Sequence, residues 1–393
     1  MNRAFVIDLG GSQVTGLVAT SEDRLRVEAL ASLPSEGVWR GNITSPDAAS
    51  AVLRRVMADL QVKGSGTLGP AVVSISGAHL EVLNGQGMKL IVPRARHITN
   101  QDVMEVVNHS RAILLPPDRE QIHVVPRAFR IDGEPGFMRP TGHPGSKIEA
   151  ETFIVTGKKD AVETLQRVVV SSGGTVDQII HAGLAAGLGV LKSQEIDQGA
   201  LVVDIGYGTT DVGLFFAGSI AFAASIPVGG GHVTSDIAEL LKTSVEDAEQ
   251  LKIDSGSASP RAVPESDSVQ VCQLGQPLTR PMHRRVLAEI IESRLREILL
   301  LAKAAIDKTG LNTRVTLVVL TGNGAKIPNT DRLAAEVWPD HRIRVEFPAK
   351  GTAVALGLAR YALQSQEEMA PAAPSAETLV GRVRSLFSGL GKN

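Results

Sequence analysis

The chain has 393 residues, 43% hydrophobic and 21% charged, which is enough to bury the cores of two or three ordinary domains. Its formal net charge of -2 removes any global electrostatic case for nucleic acid, whose recognition needs a concentrated basic face. The single cysteine, Cys272, excludes an internal disulfide and suits a reducing compartment, with the cytoplasm as the expected location.

In chain order, Ala4-Phe5-Val6-Ile7 is an apolar run that Asp8 interrupts before a signal-peptide core can form, and no later apolar stretch approaches the roughly 20 residues that cross a bilayer. Val6-Ile7-Asp8-Leu9-Gly10, continuing to Gly16-Leu17-Val18, reads as a buried strand, a tight turn and a returning strand. Helical spacing follows from Pro46 to Leu60, with Thr44 and Ser45 as candidate caps, and Ala71 to Ser76 reads as a strand. From Gly77 to Gly157 the composition shifts to Pro, Gly and Arg. His123 to Arg130 reads there as a strand and Asp102 to Ile113 as a helix, so this stretch is expected to be an inserted subdomain.

Asp160 to Ser171 resumes as helix, Val176 to Ile180 as strand and Gly183 to Leu191 as a small-residue helix. Val202-Val203-Asp204-Ile205-Gly206, continuing to Gly213-Leu214-Phe215, then repeats the first hairpin about half a chain later, with one extra residue expected in its turn. Helices are expected at His283 to Lys308, Asp331 to Val337 and Thr352 to Leu363, with a β-branched strand at Val315 to Leu320. Gln364 to Thr378, with Glu367, Glu368, Pro371, Pro374 and repeated Ala, reads as a flexible linker. Helical periodicity returns from Leu379 to Leu390, where Leu379, Val380, Val383, Leu386, Phe387 and Leu390 fall within an arc of roughly 120° flanked by Arg382 and Arg384. That pattern suits shallow insertion into an anionic membrane surface, while the other reading is a terminal helix packed on the protein's own core.

The chemistry concentrates at the two hairpin turns. Glycines let backbone N–H groups approach a phosphate, and an Asp at the strand end can hold a hydrated Mg²⁺. Asp8, Gly10, Gly11 and Ser12 form one such turn, and Asp204, Gly206, Gly208, Thr209, Thr210 and Asp211 the other. Either turn alone reads as an ordinary hairpin, whereas two similar copies favour domains facing one cleft. There is no G-x-x-x-x-G-K-[ST] run, and Gly206-x-Gly208 lacks the third glycine of a dinucleotide fingerprint.

Val202 to Phe215, Ile226-Pro227-Val228-Gly229-Gly230, His232-Val233-Thr234, Ala248-Glu249-x-Leu251-Lys252 and Leu320-Thr321-Gly322-Asn323-Gly324 through Pro328 resemble, in order and spacing, the motifs of the bacterial cell-division FtsA family. His123-Val124-Val125-Pro126-Arg127 and Gly142-His143-Pro144-Gly145 extend the resemblance into the insertion. It implies an α/β actin-like ATPase fold of two related domains around a nucleotide cleft. Residues 1–76 and 158–197 would form the first domain, 77–157 an inserted FtsA-type subdomain, 198–363 the second domain with a smaller subdomain at about 232–309, 364–378 a linker and 379–393 a membrane-targeting helix.

The resemblance further implies ATP with Mg²⁺ held near Asp8 and Asp204 through water, Gly229 and Gly230 near the nucleotide, Glu249 and Lys252 near the ribose or base, and Gly322, Asn323 and Gly324 beside adenine. Glu249 and Lys252 also read as a solvated helix pair. His181 falls near the place where actin-like ATPases orient the attacking water; it reads either as a weak base or as a packing histidine. Tyr207 and Asn323 stand where the family carries glycines, so slow hydrolysis at most is expected. The implied role is a peripheral protein on the cytoplasmic side of the cell membrane at the division site. It would self-associate into filaments, bind the FtsZ C-terminal peptide and recruit later division proteins. An actin-like pilus-assembly scaffold resembling PilM and a small-molecule kinase of the same superfamily are the alternatives.

Overall fold

The computed structural model describes residues 2–21, 25–64, 66–93, 95–137, 139–275 and 278–369. The expected membrane-binding residues, Leu379 to Leu390, and most of the expected linker lie outside the described residues.

Two five-stranded sheets share one plan. The first runs Val176–His181, Ala71–Ile75, Asn2–Leu9, Gln13–Ser21, Leu25–Pro34, and the second Arg342–Val345, Leu317–Thr321, Ala200–Ile205, Thr210–Phe216, Ser219–Ile226. In each order the first two pairings are parallel and the last two antiparallel. The parallel strands are covered on both faces, which is why Phe5-Val6-Ile7 and Val202-Val203 are unbroken apolar runs with every side chain buried.

The two hairpins also share one register, since Asp8 pairs with Thr15 and Asp204 with Asp211. The extra turn residue expected in the second copy is therefore absent. Gly16 corresponds by pairing to Val212 and not to Gly213, because Gly16 faces Ile7 and Val212 faces Val203.

Helices Pro46–Gly64 and Lys159–Ser171 cover one face of the first sheet, packing Val56, Leu60, Leu165 and Val169 on Phe5 and Ile7. Helices Ala182–Val190 and Ala353–Met369 join one continuous core from both sheets, with Leu17, Leu184, Val202, Phe215, Leu358 and Tyr361 all but inaccessible. These two helices touch through glycines. A Cβ on Gly357 would lie 1.7 Å from the Ala185 carbonyl oxygen, and one on Gly189 would lie 2.0 Å from that of Ala353. The final helix runs to Met369, past the expected end at Leu363 and into the expected linker. Gln364 to Met369 are good helix formers, and the first proline is Pro371.

The inserted segment forms its own sheet in the order Glu134–Phe137, Arg119–Ile131, Lys147–Lys158, Leu80–Leu90. Helix Asn100–Ser110 lies on it, buries Val106 and Val107 against Val124, Ile148 and Ile154, and ends three residues before the expected Ile113. Thr99 and Asp102 close its N-terminus as a reciprocal capping box. Among the described residues no helix is long and apolar enough to cross a membrane.

Candidate functional site

The two hairpin turns face each other across a cleft of about 790 Å³, within the usual range for small-molecule sites. Asp8, Gly10, Gly11 and Ser12 line one wall, Asp204, Gly206, Gly208, Thr209 and Asp211 the other, and Gly322 and Asn323 close one end. Each turn follows a buried strand whose pairing stops at the glycine, so strand geometry delivers both Asp side chains to the cleft floor.

The three floor carboxylates are treated differently. Asp8 accepts hydrogen bonds from the Ser74 and Thr352 hydroxyls, each at 2.8 Å. Asp211 accepts from Ser76 at 2.7 and 2.8 Å, from Thr209 at 3.2 Å, and from Ser225. No described residue donates to the Asp204 side chain. Burial raises the pKa of all three; for Asp204 the charges of Asp211 and Asp8 add to a rise well above the ordinary range, and Asp211 is raised to about 6. A buried carboxylate with neither donor nor cation is costly and suits a positively charged ligand. Among the described residues no group of three or more His, Cys, Asp or Glu converges as a direct metal site. Asp8 and Asp204 are the residues at the strand ends that could hold a hydrated cation, which borrows one or two carboxylates and keeps its waters.

The remaining expected residues lie behind the cavity wall. Thr210 is fully buried and donates to the Val228 carbonyl at 2.8 Å, because alternation along its strand turns it from the cleft. Gly230 donates to the Gly206 carbonyl at 2.8 Å and so fastens helix Gly230–Leu241 to the second turn; Gly229 carries no side chain because one would meet the carbonyls of Gly206 and Tyr207. Lys252 pairs with Glu249 at 2.6 Å and donates to the Gly230 carbonyl and to Thr234, within 3.9 Å of where a Gly230 Cβ would stand. Gly324 faces the same point, 3.7 Å from that Cβ position. Glu249 and Lys252 thus form a partly buried pair and not a solvated face. Tyr207 borders the cleft and has the Lys252 Nζ 5.7 Å from its ring centre.

His181 is placed otherwise than a catalytic base requires. It is wholly buried, its Nδ1 accepts the Gly183 N–H at 2.9 Å as a helix cap, and its Nε2 faces Ser225 at 3.3 Å. Burial lowers its pKa to about 3, with His123 and His79 adding to the shift. The neutral ring positions Ser225, which in turn holds Asp211.

Sequence reasoning missed several groups. Ser74 and Ser76 are two apart at a strand end and so share a face toward the carboxylates, a period-2 signal that was readable. Thr352 caps the last helix by accepting the Ala355 N–H at 3.0 Å while holding Asp8. Trp39 and Arg40 had no signal at all. From the first domain, Trp39 stacks on His232 at 5.3 Å and meets Tyr207 edge-on at 5.8 Å, and Arg40 Nε donates to His232 Nε2 at 3.1 Å. These contacts tie the Trp39–Arg40 turn to helix Gly230–Leu241 and to the second glycine turn.

Residues 201–367 match the family described as Cell division protein FtsA, and residues 77–156 match the SHS2 domain inserted in FTSA. The FtsA of Borreliella burgdorferi is 33% identical over 88% of this chain and 86% of its own. The chain belongs to the FtsA family of cell-division proteins. The FtsA of Pseudomonas aeruginosa is 30% identical over 92% of this chain and 89% of its own. Among solved structures, the PilM-PilN type IV pilus biogenesis complex aligns with TM-score 0.65 at 16% identity, covering 92% of this chain and 98% of that one. MreB5 of Spiroplasma citri bound to ADP aligns with TM-score 0.57 at 15% identity, covering 94% and 99%. This FtsA-family chain has the actin-like ATPase fold with the SHS2 insertion.

Proposed function

We propose that the cleft binds ATP with a hydrated Mg²⁺ and that the protein polymerises on the inner face of the cytoplasmic membrane, tethers the FtsZ ring there through the FtsZ C-terminal peptide and recruits later division proteins. The observation that carries the nucleotide reading is the pair of matched turns over an acidic floor in which Asp204 has no partner. Structures of MreB5 bound to ADP and to AMPPNP, similar in fold, support it. Bound Mg²⁺ would neutralise phosphate charge. The turns would offer backbone N–H groups to the phosphates, Asp8 and Asp204 would accept from the cation's waters, and Gly322 and Asn323 would leave an open edge for the base. His181 is sealed away from the cleft, so hydrolysis is slow at most.

Membrane attachment rests on the amphipathic pattern of Leu379 to Leu390. One copy buries a few apolar side chains and binds weakly, whereas a filament presenting many copies binds tightly through high effective concentration.

Gly206→Val tests the nucleotide reading, because a Cβ there already stands 2.9 Å from the Thr209 carbonyl oxygen. Calorimetry should show ATP affinity reduced at least about a hundredfold; full affinity in the variant would sink the assignment. For attachment, the intact chain should co-sediment with anionic liposomes in ATP, and Phe387→Glu or truncation after Thr378 should remain in the supernatant.

A further inference from the structure

We infer that the hairpin from Val38 to Ile43 is a strap that retains the nucleotide in the cleft, latched onto the second domain by Trp39 and Arg40 and released through His232. This rests on the nucleotide reading above and goes beyond it to how the ligand leaves.

The hairpin consists of two short strands, Val38–Trp39 and Asn42–Ile43, joined by the two-residue turn Arg40-Gly41. Val38, Gly41, Asn42 and Ile43 line the cleft. The turn is wedged between walls from both domains. On one side Gly41, with φ +76°, lies so close to Ser76 and Gly77 that a Cβ would strike the Ser76 carbonyl. On the other side a Cβ on Gly208, in the second glycine turn, would stand 2.7 Å from the Arg40 backbone nitrogen. Ser76 and Gly208 themselves line the cleft, and the Ser76 hydroxyl donates to Asp211 of the second domain at 2.7 Å. The hairpin therefore crosses the seam where the two domains meet beside the second glycine turn.

Its own domain holds it lightly. No residue from 38 to 43 is fully buried, and Val38 and Ile43 pack only partly on the first domain's core. At the root, the carbonyl of Gly37 accepts the Thr44 and Ser45 N–H groups at 2.8 and 3.1 Å. A segment with so few buried contacts opens at low cost. The tip is held by the other domain instead, through Trp39 on His232 and Tyr207 and through Arg40 on His232. Arg40 has φ +50°, in a turn position that Gly, Asn or Asp adopts more easily. A residue held there against its preference is explained by its side chain, which reaches across to the second domain.

His232 is the point at which this latch gives way. Its Nδ1 faces the Gly229 N–H at 3.1 Å, and its Nε2 faces the Arg40 Nε–H at 3.1 Å. Burial lowers its pKa, with Arg40 adding to the effect and the Gly229 hydrogen bond opposing it, so the ring is neutral near pH 7. A neutral imidazole carries its proton on one nitrogen and accepts only at the other, so the two contacts exclude each other. With the proton on Nδ1 the ring holds Arg40 and forgoes the Gly229 N–H. With the proton on Nε2 it caps helix Gly230–Leu241 and lets Arg40 go. The start of that helix is bonded to the second turn, from the Gly230 N–H to the Gly206 carbonyl at 2.8 Å. A proton exchange within one ring thus trades the strap's hold against a helix cap fastened to the phosphate turn.

The test is stopped-flow fluorescence on the full chain with Mg²⁺ and a fluorescent ADP, measuring association and, with excess ADP as chase, release. Arg40→Gly suits the positive φ, so it removes the latch without straining the turn, and Trp39→Leu removes the stacking. His232→Asn keeps an acceptor for the Gly229 N–H and loses the one for Arg40, whereas His232→Gln does the reverse. The expected result is release about tenfold faster in Arg40→Gly, Trp39→Leu and His232→Asn, association faster by a similar factor, and His232→Gln close to the intact chain. Release at the intact rate in both Arg40→Gly and Trp39→Leu overturns the strap. Faster release with unchanged association also overturns it, because the two residues then only support the glycine turn. Equal rates in His232→Asn and His232→Gln overturn the part given to His232. Arg40 is exposed, so its variant decides the matter if Trp39→Leu does not fold. An intact chain that binds no ADP is a distinct outcome, which removes the nucleotide reading and the strap with it.

Discussion

The two hairpin turns have the same length and register, yet their electrostatics diverge. Gly10 and Gly206 even share a steric limit, since a Cβ on either would stand 2.9 Å from the carbonyl three residues on, at Gln13 and Thr209. The position that faces Asp8 across the ladder is Thr15, whose hydroxyl meets Ser32 at 2.9 Å; the position that faces Asp204 is Asp211. The first turn therefore carries one carboxylate with two hydroxyl donors from other elements, whereas the second carries two, one of them without a donor. A duplicated backbone has been kept while the charge has been concentrated on one side, so the second turn should dominate cation dependence and the first should act mainly as a scaffold.

The largest effect should come from closing the space beside Asp204. Gly322 has φ +83°, and its Cβ would fall 2.2 Å from Asp204 Oδ1 and 2.5 Å from the Ile205 carbonyl oxygen. Gly322→Ala should cost roughly 2–4 kcal/mol in denaturant unfolding and abolish nucleotide binding. Gly10→Ala on the opposite turn should cost less than half as much.

Next in size is the pH dependence of the ligand-free protein. Asp211 is raised from its ordinary value of 3.8 to about 6, so between these values the folded state holds more protons than the unfolded chain. Its contribution is fully present below about pH 4 and lost as pH rises through about 6, an effect of at most about 3 kcal/mol. Melting temperature followed from pH 4 to 8 should fall across this window, and Asp211→Asn should flatten the fall. Thr15→Val, at the equivalent place in the first turn, should leave the profile unchanged; a matching change there would erase the contrast.

The smallest effect concerns Tyr207, which has only glycine opposite it in the first turn. Tyr207→Gly removes the edge contact with Trp39 and the packing on Gly231. Stopped-flow release of a fluorescent nucleotide should accelerate by roughly two- to tenfold, the worth of one aromatic pair.

The hairpins, the insertion and most helices were legible because each announces itself within a short stretch of sequence. The register of the second hairpin was misread because Gly16 and Gly213 invited alignment by residue type, while pairing matches Gly16 to Val212. The chain from Ser76 through Asp211 and Ser225 to His181 links four separate elements, and no local pattern connects them. For the same reason the carboxyl group without a donor could not be told from its partnered neighbours. Trp39 ends a two-residue strand and Arg40 begins the turn after it, and their importance comes only from what folds against them, for Arg40 the His232 ring 192 residues away.

The glycine contacts between helices Ala182–Val190 and Ala353–Met369 have a mechanical meaning. Where backbone rests on backbone, at Gly357 against Ala185 and Gly189 against Ala353, no side chain intervenes, and any closer approach drives carbonyls into Cα atoms. Such a crossing behaves as a spacer: it sets how closely the two helices, and the two sheets whose core they share, approach each other. A methyl group added at Gly357 would meet the Ala185 carbonyl at 1.7 Å and push the two helices, and with them the two sheets, apart.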